Sequence, residues 1–168
     1  MNDANKANRE LPGALKIATV WLLIGLAVFL AFQAWERQRL QSRFSLSPQG
    51  QIVLQRGPDG HFHWPGTLNG IAVDFLVDTG ASSSAVPEAL ARRAGLRSEG
   101  DSLSHTAGGV ARGWLARGDL ALQGGVGVER LRLTVLPQLG APLLGMDVLA
   151  KLQFTQQGGE LRIEAARP

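Results

Sequence analysis

Apolar residues are distributed along this chain in two distinct ways. Over residues 17–32 (IATVWLLIGLAVFLAF) they run without a charge, with Trp21 and Trp35 near the ends. Beyond residue 50 they come in short runs cut by glycine, proline and asparagine, the pattern of short strands and tight turns. Residues 51–55 (QIVLQ) form the first such run, stopped by Gly57-Pro58-Asp59-Gly60. Two extended runs flank Asn69-Gly70, a dipeptide that favours the positive backbone angles of a type I′ hairpin turn. Further strands are predicted at 120–122, 126–128 and 131–136, and a last hairpin around Gly158-Gly159. Helix signals are confined to 87–94 (PEALARRA), with proline at its start and Gly95 as its stop, and to a turn or two over 146–151. The domain is therefore expected to be all-β with one or two short helices.

The early apolar run is sixteen residues long, short of the roughly twenty that cross a bilayer. Ala14, Leu15, Ala34 and Trp35 extend it, and Lys16 can snorkel. The expected organisation is a tail at 1–13, a single N-terminal transmembrane helix at 14–35, a juxtamembrane linker at 36–50 and a folded domain at 51–168. A cleaved signal peptide would share the basic-then-apolar order, but LAFQAWERQ offers a poor small-x-small site; a buried soluble helix is the other alternative. Lys6, Arg9 and Lys16 before the run balance Arg37, Arg39 and Arg43 after it, so positive-inside counting assigns no orientation.

Composition narrows the chemistry. The formal net charge is only +3 and the charges are mixed along the chain, which leaves no basic stripe for nucleic acid. Cysteine is absent, excluding disulfides, thiolate metal sites and a cysteine nucleophile together. His61 and His63 would share a strand face and, with His105, make at most a thin metal set; a surface pair explains them better. Ser82 to Ser84 with His105 lack a Gly-x-Ser-x-Gly elbow, and GGVARG lacks the lysine of a phosphate loop. No cofactor and no metal are expected.

One carboxylate stands out. FLVDTG, residues 75–80, puts Asp78 at the end of an apolar run, beside Thr79 and Gly80, with the small residues Ala81, Ser82, Ser83 and Ser84 after it. A carboxylate at a tight turn can accept amide hydrogen bonds, while glycine lets another chain approach, an arrangement suited to activating water. FLVDTGASSSAV, followed some sixty residues later by PLLGMDVLAKL, resembles the retropepsin-like aspartic proteases, and in particular their membrane-anchored bacterial branch. The resemblance covers residues 60–152 and implies a closed β-barrel, one acid-protease half. It makes Asp78 the catalytic acid and has Thr79 brace the two catalytic loops while Gly80 leaves room for substrate. Leu144 and Gly145, in the apolar-apolar-Gly segment, would support the loop from beneath. Ala81, Ser82 and Ser83 would line the cleft, and HTAGGVARGW, residues 105–114, would be the flap, with Ala107, Gly108, Gly109 and Val110 at its tip.

Such chemistry needs two carboxylates sharing a proton, and the chain has one Asp-Thr-Gly. Asp119 and Asp147 lack the flanking pattern. A symmetric homodimer that brings two copies of Asp78 together is expected, although a C-terminal hairpin in place of single terminal strands suggests a differently built dimer sheet. Alanine at 81 cannot donate the hydroxyl hydrogen bond that would lower the acids' pKa, so a mildly acidic to near-neutral optimum is expected. The expected substrate is a polypeptide, a membrane or envelope protein within reach of the tether. The resemblance places the domain at the bacterial inner membrane, facing the periplasm. The competing reading is a membrane-tethered peptide-binding module that keeps the fold without the activity.

Overall fold

The computed structural model describes residues 13–41, 43–48, 50–106 and 109–164. The chain divides into two units, Met1–Arg39 and Leu40–Pro168. The first unit is built on α1 (Gly13–Gln41). Every residue of α1 from Ile17 to Ala31 is exposed. These fifteen residues span about 22 Å at 1.5 Å each, against about 30 Å of bilayer hydrocarbon. Among the described residues no helix is long and apolar enough to cross a membrane, so the span expected at 14–35 is not supported there. The segment 36–50, expected as a linker, holds the end of α1 and strand β1 (Phe44–Leu46).

The second unit is mostly strand. In order it contains β2 (Ile52–Gln55), β3 (Phe62–Leu68), β4 (Ile71–Val77), β5 (Ala85–Pro87), α2 (Glu88–Arg93), β6 (Gly100–Thr106) and β7 (Gly109–Leu122). There follow β8 (Val126–Leu136), β9 (Leu143–Leu144), α3 (Met146–Leu149), β10 (Phe154–Gln157) and β11 (Glu160–Ile163). One sheet has the order β3-β4-β9-β5-β8-β7-β6, and a further pairing of β3 with β7 closes it into a barrel. Closure covers the edge that β3 would expose and leaves β6 as the sheet's one edge among the described residues. At the seam Gly66 faces Leu122, and a Cβ on Gly66 would lie 2.5 Å from the Ala121 carbonyl oxygen, so only glycine lets the strands meet.

The predicted hairpin turns at Asn69 and Gly70, both with positive φ (48° and 79°), and pairs β3 with β4 from Phe62–Val77 to Leu68–Ile71. Three strands were expected between 120 and 136; the structure has two. Residues 120–122 are the end of the long β7, and 126–128 and 131–136 are one strand, β8. The register between them shifts at Gly118/Leu120, and Arg130 takes a φ of 50°. The Arg130 N–H donates to Asp119 Oδ1 at 2.8 Å, so this bulge has its own polar anchor.

Trp64, Leu68, Phe75, Leu133, Val135, Leu144, Val148 and Leu149 are buried in one apolar cluster. The Trp64 indole N–H donates to the Gln123 carbonyl at 2.9 Å, which settles its polar edge. A second sheet, β1-β2-β11-β10, adds Ile52, Leu54, Leu161 and Ile163 to that cluster. Leu54 lies opposite Leu161 and Ile52 opposite Ile163, so alternation along both strands points one face inward.

Candidate active site

Strand β4 delivers Asp78 to the end of the barrel. Parallel pairing with β9 fixes its height: the Leu76 N–H donates to the Pro142 carbonyl at 2.9 Å and the Asp78 N–H to the Leu144 carbonyl at 3.0 Å. The chain then reverses, with the Ala81 N–H on the Asp78 carbonyl at 3.3 Å and the Gly80 N–H on Asp78 Oδ1 at 2.9 Å. The backbone is thus spent on holding the carboxylate, which remains half-buried and open on one side. Thr79 and Gly80 are exposed beside it, and the Thr79 hydroxyl has no partner among the described residues.

Leu144 and Gly145 support this loop from the buried side. A Cβ on Gly145 would lie 2.6 Å from the Ser83 carbonyl carbon and 2.9 Å from the Ala81 oxygen, both backbone atoms that cannot yield. The Met146 N–H, opening α3, donates to the Ala81 carbonyl at 2.8 Å. Ala81 is half-buried, whereas Ser82 and Ser83 are exposed.

Two residues to which sequence reading gave no supporting role complete the loop. Ser84 is fully buried. Its hydroxyl donates to Asp147 Oδ1 at 2.7 Å and accepts the Gly145 N–H at 3.0 Å, while its N–H donates to Asp147 Oδ2 at 3.0 Å. Asp147, in the first turn of α3, is thereby a clamp between the two motifs. Ser84 is the last of three consecutive serines, and nothing local in the sequence separates it from the two exposed ones before it.

The expected flap is the β6–β7 hairpin, paired from Gly100–Leu115 to Thr106–Gly109. Ala107 and Gly108 lie outside the described residues. Gly109 and Val110 are exposed and border a 510 Å³ recess with Arg112 and residues 136–139. The structure therefore brings together Asp78 to Ala81 with Leu144 and Gly145, and places Gly109 and Val110 at the described end of the β6–β7 hairpin.

His61 is exposed, but His63 is held between two carboxylates, Nε2 at 2.7 Å from Asp59 Oδ2 and Nδ1 at 3.1 Å from Asp74 Oδ2. Burial pushes the Asp74 carboxyl up, with His63 and Arg43 pulling against it. The hydrogen bond from His63 holds Asp59 below the ordinary carboxylate range. Among the described residues no group of three His, Asp or Glu is placed to hold a metal ion.

The sequence pattern of the gag-polyprotein putative aspartyl protease family matches residues 64–151, just over half of the chain. An uncharacterised protein of Rickettsia prowazekii is 39% identical over 46 residues, 27% of this chain and 20% of that protein. The chain thus matches only about a fifth of that relative's length. Among solved structures, a retropepsin-like aspartic protease from Rickettsia conorii aligns at 24% identity over 67% of this chain and 88% of its own, with a TM-score of 0.55. EIAV protease in complex with an inhibitor aligns at 22% identity over 52% of this chain and 86% of its own, with a TM-score of 0.45. Two motifs joined by backbone bonds beneath one acid, and a match over the strands that carry them, lead to one conclusion: the chain belongs to the gag-polyprotein putative aspartyl protease family and has the retropepsin-like fold.

Proposed function

We propose that this chain is an aspartic endopeptidase that works as a symmetric homodimer, with one Asp78 from each subunit at a shared site. The observation that carries this reading is the state of Asp78: backbone bonds from Gly80 and to Leu144 fix it, its outer side is open, and each chain supplies one Asp-Thr-Gly. Like charges about 3 Å apart cannot both ionise, so the pair holds one proton between them, as aspartic-protease dyads in general do. The ionised carboxylate takes a proton from the bound water, whose oxygen attacks the peptide carbonyl. The protonated partner donates to the carbonyl oxygen. Collapse of the tetrahedral adduct then breaks the C–N bond as the amine is protonated. Thr79, exposed at the same loop, is the residue that would brace the second subunit's loop, and Ala81, Ser82, Ser83 and the hairpin tip would contact the substrate chain.

In this reading α1 tethers the enzyme to the bacterial inner membrane. What supports the tether is the uncharged, exposed run of α1 together with the flanking apolar residues that bring the sequence run to 14–35. Substrates are then polypeptides close to the bilayer, membrane or envelope proteins, with the catalytic unit on the periplasmic side.

The test is cleavage of an unfolded protein by the full chain in detergent, against Asp78→Asn. Loss of at least a hundredfold in rate in the variant is expected. Equal cleavage by both proteins would remove Asp78 from the chemistry, and dimers of both that cleave nothing would favour a peptide-binding module.

A further inference from the structure

Arg112 lies on the arm of β7 that pairs with β6, and alternation along the strand sets the way it faces. Ala116, Gly118, Leu120 and Leu122 are the buried positions of β7, so Arg112 and Val110 continue that inward register beyond them. On β6, Leu103 lies opposite Arg112 and His105 opposite Val110, which puts Leu103 on the same face of the hairpin. Leu103 and Val110, at 66% and 62% exposure, are the two most exposed large apolar side chains beyond α1 among the described residues. Arg112 stands between them and makes no ion pair among the described residues.

Two recesses meet at this arginine. One, of 510 Å³, lies between Gly109, Val110, Ala111 and Arg112 on the hairpin and residues 136–139. The other, of 630 Å³, is bordered by Asp101, Ser102, Leu103 and Gly113 together with Arg112. The far wall of the first recess is tied to the acid. Residues 136–139 open the loop that reaches Pro142, whose carbonyl takes the Leu76 N–H, and the Leu144 carbonyl takes the N–H of Asp78. Three residues of chain and one strand pairing therefore separate this wall from Asp78, a span of at most about 25 Å, or about eight residues of an extended peptide.

We propose that Arg112 is a specificity-determining residue of the protease: it selects polypeptides that carry a glutamate or aspartate, with apolar neighbours, within about eight residues of the cleaved bond. The guanidinium can offer two parallel N–H groups to one carboxylate, a geometry that neutral side chains do not match. Alternate side chains of an extended chain point the same way, so an apolar residue two positions from the acid falls beside Val110, two positions from Arg112. Leu103, across the ladder, covers the stem of the acid. A lysine or arginine at that position is repelled. The pair is exposed, so the selection is modest, about two- to fivefold in the rate of cleavage. This assignment rests on the protease reading and names the class of polypeptide that reading leaves open.

The probe is a proteome digested with trypsin, cut again by the full chain in detergent, with the new ends read by mass spectrometry. Acidic residues are expected to be enriched at least twofold at one position within eight residues of the cut. Arg112→Gln should flatten that enrichment, and Arg112→Glu should turn it into depletion. Both variants replace an exposed side chain that has no ion pair in the subunit, so their melting temperatures should match the parent's. A parent profile that is flat in acids, or an enrichment that survives in Arg112→Glu, overturns the proposal. Asp78-dependent cleavage without an Arg112-dependent preference leaves the protease reading standing and removes this one. If the chain cleaves nothing, the same peptides are passed over immobilised Asp78→Asn protein, with and without Arg112→Glu. Acidic peptides held only where Arg112 is present then sustain this assignment while the protease reading falls, and equal retention by both overturns it.

Discussion

Asp147 receives both polar groups of Ser84, the hydroxyl at 2.7 Å and the backbone N–H at 3.0 Å, from a distance of 63 residues in sequence. This pair joins the Asp-Thr-Gly loop to the helix that follows Leu143-Leu144-Gly145. Removing the carboxylate leaves a fully buried hydroxyl and N–H without their acceptor. Asp147→Ala is expected to cost about 2–4 kcal/mol in urea unfolding and to lower cleavage by loosening the loop, whereas Asp147→Asn, which keeps one acceptor, should cost less. A stability loss under 0.5 kcal/mol for alanine would mean the clamp is ornamental.

Gly145→Ala tests the floor beneath the acid. The added methyl meets the Ser83 carbonyl carbon at 2.6 Å and has only backbone to push against. A loss of about 1–3 kcal/mol is expected, with a larger fractional loss of activity than of folded protein at room temperature. Retained activity with an unchanged melting temperature would show that the two loops can separate at little cost.

The cluster around His63 makes a prediction about pH. Asp74 has a carboxyl raised above its ordinary value near 3.8, chiefly by burial, so the folded state holds that proton more tightly than the unfolded chain does. The associated stability is complete below pH 3.8 and is lost as pH rises through the raised folded value. Asp59 is shifted the other way, and its contribution disappears only as pH falls below its ordinary value. Asp74→Asn keeps a hydrogen-bonding group beside His63 and cannot ionise. Relative to the parent, the variant should therefore become more stable as pH rises above 3.8, read as a melting-temperature difference that grows until the raised folded value has been passed. A constant difference would show that the buried carboxyl carries no such cost.

Orientation can be read with a reporter fused after Pro168. Alkaline phosphatase, active only in the periplasm, is expected to be active there, and a reporter that works only in the cytoplasm would reverse the assignment.

Features set by neighbours in sequence were the legible ones. Asn69-Gly70 and Gly158-Gly159 announce their hairpins because few other residues tolerate positive φ, and Pro87 with Gly95 brackets α2. The apolar lead into Asp78 and the Leu-Leu-Gly beneath it were likewise visible as runs. Features set by register were not. The unity of β8 depends on Arg130 adopting a φ of 50° against Asp119, eleven residues away, and nothing local distinguishes this from a turn. The partnership of His63 with Asp74 exists because β3 and β4 pair with Trp64 opposite Phe75, and Asp147 looked like a failed second motif until the fold set it against Ser84.

Strand β7 is one ribbon from Gly109 to Leu122, paired with the hairpin's other arm at its start and stitched into the barrel seam at its end. From Gly109 to Gly113 that ribbon is held by β6 alone, and β8 joins it only at Trp114, so the arm leaves the barrel there while its far end stays stitched at Gly66.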